Sequence, residues 1–168
     1  MTEPGSTHEV LETIERIGRD ALTEMRRLVG MLRSDADGPL APQPGLGDLP
    51  TLVSQVREAG LPVDLHVEGE QRELPVGIEL SAYRIVQEAL TNALKHAGDA
   101  HATVRVRYGA DAIELEISDD GEGANNATES GGHGLVGMRE RVALCGGRFH
   151  ASRNATGGFT VQAVLPTR

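Results

Sequence analysis

Aromatic residues and cysteine are both scarce in this sequence. It has no tryptophan, two tyrosines and two phenylalanines, so any hydrophobic core must be built from Val, Leu, Ile and Ala. Cysteine occurs once, as Cys145, so the chain cannot form an internal disulfide framework. The natural compartment for such a chain is a reducing cytoplasm.

Long apolar runs and an excess of positive charge are also missing. No stretch approaches the roughly 18–20 apolar residues of a membrane-spanning helix, and the N-terminus does not resemble a signal peptide. We therefore expect any membrane attachment to come from another chain. The net charge of −9 argues against a surface that binds nucleic acid duplexes. A phosphate-binding P-loop motif is absent as well.

The first third of the chain divides into a predicted helix and a predicted linker. Ser6 and Glu9 form a capping box within residues 1–34. Apolar residues then recur near heptad spacing, at Val10, Ile14, Ile17, Ala21, Met25, Leu28 and Leu32. This seam favours a partner helix, most simply from a second copy, although packing against the following domain is the alternative. Residues 35–48 are rich in proline and glycine, which is typical of a linker.

Residues 49–168 predict an α+β fold with two layers. Apolar periodicity predicts helices over 49–60, 76–97 and 135–145, and strands over 63–67, 102–108, 113–118, 149–152 and 159–165. Because hairpin connections predominate, we expect a largely antiparallel sheet and not a doubly wound one.

The predicted helix over 76–97 carries a polar row beside its apolar face. Glu88, Asn92 and Lys95 recur at i, i+4 and i+7 and therefore line up, with His96 next to them. Lys95 is the sole lysine of the chain. Such a row can accept a proton, ligate a hard metal ion and contact a phosphate. A solvated helix face is the simpler interpretation, so the row needs support from other segments.

Two further segments carry chemistry of the same kind. Residues 119–123, Asp-Asp-Gly-Glu-Gly, follow a predicted strand, so a carboxylate can accept a hydrogen bond from an exocyclic amine while the glycines admit a flat ring. Residues 131–134, Gly-Gly-His-Gly, lead into a helix whose free amides favour phosphate. The polar, glycine-rich stretch 119–134 predicts a lid or a binding loop.

In this order the motifs resemble the ATPase domain of the GHKL (Bergerat-fold) family. Residues 83–97 resemble its N box, in the form found in two-component sensor histidine kinases of the nitrate-sensor and desaturase-sensor type. Asp119-x-Gly121-x-Gly123 is similar to the G1 box, and Gly132-x-Gly134-Leu135 to the G2 box. The likeness covers about residues 46–168, while residues 10–33 resemble the second helix of that family's dimerisation and phosphotransfer domain.

The resemblance implies an enzyme, the ATP-binding catalytic domain of a sensor histidine kinase, with a mixed sheet and with ATP and Mg²⁺ as cofactors. Glu88 would polarise or deprotonate the acceptor histidine, and Asn92 would hold Mg²⁺ against the phosphates. Asp119 would bond the adenine amine. The other nucleotide contacts that it implies are Lys95, His96, Gly121, Gly123, Gly132, Gly134, Leu135 and Thr160.

The sequence departs from the family pattern in two places. The acceptor motif, which resembles Arg-Glu-Leu-His-Asp, is absent, and His8 lies in the wrong segment to replace it. We therefore do not expect the chain to phosphorylate itself. Phe159 stands where many relatives place a threonine that reaches the adenine site. In a regular strand Thr160 points to the opposite face, which leaves its adenine contact open.

The implied partners are an acceptor-histidine helix, a response regulator and a second subunit, identical or different, bound through residues 10–33. Two other functions stay open at this point. One is a serine/threonine kinase of the anti-sigma-factor type, and the other is a non-catalytic module that modulates a full-length kinase.

Overall fold

The computed structural model describes residues 43–121, 132–155 and 157–168, with only the backbone of Gly132 and His133. The chain forms two compact units, Met1–Pro42 and Gln43–Arg168, and the description below concerns the second. The helix predicted over residues 10–33 and most of the predicted lid therefore lie outside the described residues.

The second unit alternates helices and strands in the predicted order. A short 3₁₀-helix, Leu46–Asp48, leads into α1 (Leu49–Glu58), followed by β1 (Val63–Glu68), α2 (Val76–His96), β2 (Ala102–Tyr108), β3 (Ala112–Asp119), α3 (Gly132–Leu144), β4 (Arg148–Arg153) and β5 (Phe159–Pro166). The predicted α+β class is confirmed. Within the described part of the chain, no helix is both long and apolar enough to cross a membrane.

The five strands form one mixed sheet in the order β1-β2-β3-β5-β4. β1 and β2 are parallel because α2 connects them as a crossover, whereas the other three pairs are antiparallel. β3 and β5 pair near the middle of the sheet, from Ala112 opposite Pro166 to Ser118 opposite Thr160. This pairing brings the end of β3 next to the start of β5.

One face of the sheet carries the core, and the helices pack on it. Alternate residues of β2 and β3 are buried, and α2 contributes a matching buried stripe that includes Ile85, Val86 and Leu90. The four aromatic residues are only partly buried against this core. The core is therefore aliphatic, as the composition predicts. The opposite face is polar and carries ion pairs such as Arg105 with Glu116 at 2.8 Å.

The compact unit begins before Leu49, within the segment predicted to be a linker. Leu46 is buried, and its backbone N–H donates to Oε2 of Glu79 on α2 at 2.6 Å. This bond satisfies a free amide at the start of the 3₁₀-helix and ties it to α2. Residues 46–48 therefore pack with the domain that follows them.

The turn between β4 and β5 depends on a glycine that touches the end of β3. Gly158 has φ +84°, and a Cβ atom on it would lie 1.9 Å from the backbone oxygen of Asp119. Gly60, after α1, also has a positive φ, +104°, but a Cβ there would meet nothing within 4 Å. Both positions therefore carry the conformational cost of a substituted residue at positive φ, but only position 158 adds a steric clash.

We therefore expect Gly158→Ala to destabilise the protein far more than Gly60→Ala. The control substitution carries only the left-handed backbone cost of about 1–2 kcal/mol. The Gly158 variant adds a backbone clash and should lose at least about 3 kcal/mol. Urea unfolding of both variants measures the difference. Equal losses would show that the turn moves freely away from Asp119.

Candidate functional site

The predicted polar row lies on α2, directly beside the buried stripe of that helix. Glu88 and Asn92 are half-buried, whereas Lys95 and His96 near the end of the helix are exposed. α2 is continuous from Val76 to His96, so Glu88 and Asn92 lie one turn apart on the same side. Glu88 and Asn92 are therefore the two residues of the polar row that another part of the chain covers.

Gly134, in the first turn of α3, packs against these two side chains. A Cβ on Gly134 would lie 2.3 Å from Oε1 of Glu88 and 3.2 Å from Nδ2 of Asn92, so only glycine fits without a shift. Leu135 next to it is half-buried against the core and helps to hold α3 in place. The N-terminus of a helix carries free amides and a partial positive charge that favour anions. A carboxylate, a side-chain amide and the first turn of a helix thus meet at one place.

Asp119 is the last residue of β3, and its side chain lies on the helix-covered side of the sheet. It follows the alternation of Ile113, Leu115 and Ile117, which are all buried on that side. The backbone N–H of Gly121 donates to Oδ1 of Asp119 at 3.1 Å. The carboxylate therefore has a fixed orientation beneath the helical layer.

The loop after Asp119 also meets the end of α2. A Cβ on Gly121 would lie 2.5 Å from the Cβ of Ala97 and 2.3 Å from its backbone oxygen. Ala97 is buried directly after the last turn of α2. Gly121 and Gly134, on either side of the connection between β3 and α3, thus both pack against α2, one at its end and one at the polar row.

The electrostatics of Asp119 differ from those of an ordinary surface carboxyl. Burial raises its pKa above the usual 3.8, and the neighbouring charge of Asp120 adds to this. Hydrogen bonds from the backbone N–H groups of Gly121 and Phe159 act in the opposite direction without cancelling the shift. Asp119 is therefore a partly desolvated hydrogen-bond acceptor, which is suited to a neutral donor such as an amine.

Thr160 lies on the far side of the sheet from the Asp119 carboxylate. It pairs with Ser118, and its face of β5 is opposite to that of the buried Val161. Its hydroxyl donates to Oδ1 of Asn154 at 2.7 Å, and Nδ2 of Asn154 donates to the backbone oxygen of Asp119 at 3.2 Å. The orientation expected for a regular strand is thus observed, while a nucleotide contact of Thr160 stays a prediction.

Asn154 was not singled out by the sequence analysis. The sequence contains one clue to its role: Asn154 stands shortly before the Gly-Gly pair of a turn, where Asn side chains often bond to nearby backbone groups. Among the predicted residues, Gly123 lies outside the described part of the chain, and Gly132 opens α3.

Comparisons with known proteins place these motifs in a family context. Residues 77–168 match the family model described as histidine kinase-, DNA gyrase B-, and HSP90-like ATPase. The sensor histidine kinase LnrJ of Bacillus subtilis is 34% identical over 158 residues, which cover 92% of this chain and 37% of LnrJ. The sensor histidine kinase YxjM of the same organism is 32% identical over 163 residues, 95% of this chain and 38% of YxjM. The chain thus spans less than two fifths of either curated relative.

A solved structure has the same fold. The histidine kinase domain of the Erythrobacter litoralis EL346 blue-light activated histidine kinase aligns with a TM-score of 0.54 at 20% identity. The alignment covers 69% of this chain and 61% of that domain. At this identity the likeness concerns the fold alone.

The raised pKa of Asp119 predicts a pH-dependent effect of Asp119→Asn on the free domain. A raised carboxyl pKa in the folded state adds stability that is complete below the ordinary pKa and is lost as pH rises through the raised one. The neutral variant does not undergo this loss. The stability of Asp119→Asn relative to wild type should therefore increase from about pH 4 to pH 7. Thermal unfolding across this range measures it, and a trend of opposite sign would contradict the proposed cause.

Proposed function

The chain belongs to the histidine kinase-, DNA gyrase B- and HSP90-like ATPase family, and we propose that it is the ATP-binding catalytic part of a sensor histidine kinase. In this proposal it transfers the γ-phosphate of ATP to a histidine that lies outside this chain. The similarity to sensor histidine kinases over more than nine tenths of the chain supports this function.

The contact of Gly134 with Glu88 and Asn92 is the observation that carries the proposal. It sets the N-terminal amides of α3 beside a carboxylate and an amide on α2. Phosphoryl transfer depends mainly on positioning and on neutralising charge, so a helix end, a polar row and one base are a sufficient set. Asp119, joined to the same helix through Gly121 and Ala97, would recognise the base of the nucleotide.

The residues present fit a magnesium ion that arrives with its nucleotide. Asn92 offers a half-buried amide oxygen to the metal, one helical turn from the half-buried carboxylate of Glu88, which acts as the base. The described residues contain no group of three or more His, Cys, Asp or Glu side chains that could hold a metal alone. Mg²⁺ commonly takes one or two protein oxygens and completes its shell with phosphate and water. In this site it would neutralise charge on the transferring phosphate.

Each residue then has a distinct task. Glu88 accepts the proton of the attacking imidazole, or polarises it, as that histidine approaches the γ-phosphate. Asn92 would hold the magnesium ion, which would supply charge neutralisation at the phosphates, and the amides of α3 stabilise negative charge on them. Asp119 accepts a hydrogen bond from the adenine amine and selects adenine. Lys95 and His96, which are exposed at the end of α2, would interact with the outer phosphate oxygens.

The partners in this proposal follow from what the chain lacks. The acceptor histidine must be presented by another helix, from a second subunit or from another part of the same kinase. Residues 1–34 would supply the second dimerisation helix and pair with that subunit, with 35–48 as the linker. The phosphate would pass onward to a response regulator, and the reaction would take place in the cytoplasm.

A transfer assay with radiolabelled ATP tests the function directly. We expect acid-labile label on a peptide that carries the acceptor helix, and none on the chain alone. Label on the chain alone would refute the claim that the acceptor is external. Acid-stable label on a protein substrate would instead indicate a serine/threonine kinase. Absence of ATP binding would refute the proposal as a whole.

Glu88→Gln should separate binding from transfer in that assay. The substitution keeps the shape and one acceptor oxygen of the side chain but removes the base, so transfer should fall on the order of 100-fold while ATP binding stays close to wild type. Glu58→Gln, at the exposed end of α1, is the matched control and should transfer normally. If Glu88→Gln transfers at the wild-type rate, Glu88 is not the base.

A further inference from the structure

We propose that Asn154 and Thr160 form a positioning pair that holds the β4–β5 turn against the end of β3 and thereby sets the orientation of the Asp119 carboxylate. The inference rests on the proposed ATP site, in which Asp119 recognises adenine. Neither residue contacts the base in this account. Both act through the backbone of Asp119 from the opposite side of the sheet.

Two side-chain hydrogen bonds in series make this connection. The Thr160 hydroxyl donates to Oδ1 of Asn154 at 2.7 Å, and Nδ2 of Asn154 donates to the backbone oxygen of Asp119 at 3.2 Å. The amide of Asn154 thus has both its acceptor and a donor engaged, which fixes its plane. All three residues are half-buried, so these bonds compete less with water than bonds on an open surface would.

The same turn is closed by its own backbone. Asn154 N–H donates to the oxygen of Gly158 at 3.1 Å, and Gly157 N–H donates to the oxygen of Asn154 at 3.2 Å. Gly158 in turn packs directly on the backbone oxygen of Asp119. The turn therefore contacts Asp119 both through the Asn154 side chain and through Gly158.

The position of the turn affects the Asp119 carboxylate through Phe159. Its backbone N–H follows the turn directly and acts on the Asp119 carboxylate, where it lowers the pKa against the effect of burial. If the turn moves away from β3, this N–H moves with it and the surroundings of the carboxylate change. A threonine at position 159 is what the family resemblance leads one to expect. Here a threonine one residue later contributes from the other face, indirectly.

Competition binding with ATP and inosine triphosphate tests the pair. Inosine has a carbonyl where adenine has an amine, so it lacks the exocyclic donor that Asp119 would accept from, while its ribose and phosphates are unchanged. Wild type should prefer ATP, and Asp119→Asn should lose the preference. Thr160→Val and Asn154→Ala should weaken ATP about five-fold, the effect of one misplaced hydrogen bond, and leave inosine triphosphate unchanged. Thr160→Ser should restore the ATP preference.

The control is Thr103→Val, the same substitution in the same cross-strand row but on β2, two strands away. It should keep the wild-type preference. Thermal unfolding checks that each variant folds, and Asn154→Ala carries the test if Thr160→Val does not. An equal loss for both nucleotides, or an unchanged ratio, would overturn the positioning role while leaving the ATP site intact. Failure of wild type to bind either nucleotide would overturn both proposals.

Discussion

The close approach of two segments to α2, the residues just after β3 and the first turn of α3, is the constraint on which the candidate site depends. Gly134 presses on Glu88 and Asn92, and Gly121 presses on Ala97 at the end of the same helix. A Cβ on Gly121 would meet the backbone of Ala97, and a Cβ on Gly134 would meet the end of the Glu88 side chain. α2 therefore serves as the common reference for both parts of the candidate site, the part proposed to bind phosphate and the part proposed to recognise the base.

α2 can position both parts of the site because one of its faces packs on the sheet and the neighbouring face carries the polar row. Its apolar stripe is buried against the sheet and fixes the helix, so the neighbouring polar row is held at a constant height above the strands. The sheet supplies Asp119 at the end of β3, beneath the same helical layer. Burial raises the pKa of this carboxyl, and a group that carries such a cost in the free protein is typical of a functional site.

The fold could be predicted from the sequence to the extent that it depends on local periodicity. The apolar spacing of α2 and the alternation of β2 and β3 gave bounds within a residue or two of those observed. The pairing of β3 with β5 joins residues far apart in the chain, and local pattern contains no information on it. Leu46 was assigned to the linker because nearby prolines and glycines dominate the composition, whereas its amide bonds to Glu79, 33 residues away.

The same limit applies to the site. The polar row and the two glycine motifs follow from residue type and spacing, but the contact between Gly134 and Glu88 requires α3 to fold back onto α2. The bonds of Asn154 to Thr160 and Asp119 likewise link a turn to a neighbouring strand, and a turn asparagine has many possible partners. The central claim is that the predicted residues bind one nucleotide together.

Amide chemical shifts recorded while ATP and magnesium are added test that claim most directly. If one site joins α2, the residues just after β3 and the first turn of α3, the largest shifts should fall together on Asn92, Gly121 and Gly134. Gln162, on the open face of the sheet, should change little. Shifts confined to the open face, or the absence of any shift at saturating ATP, would contradict the account.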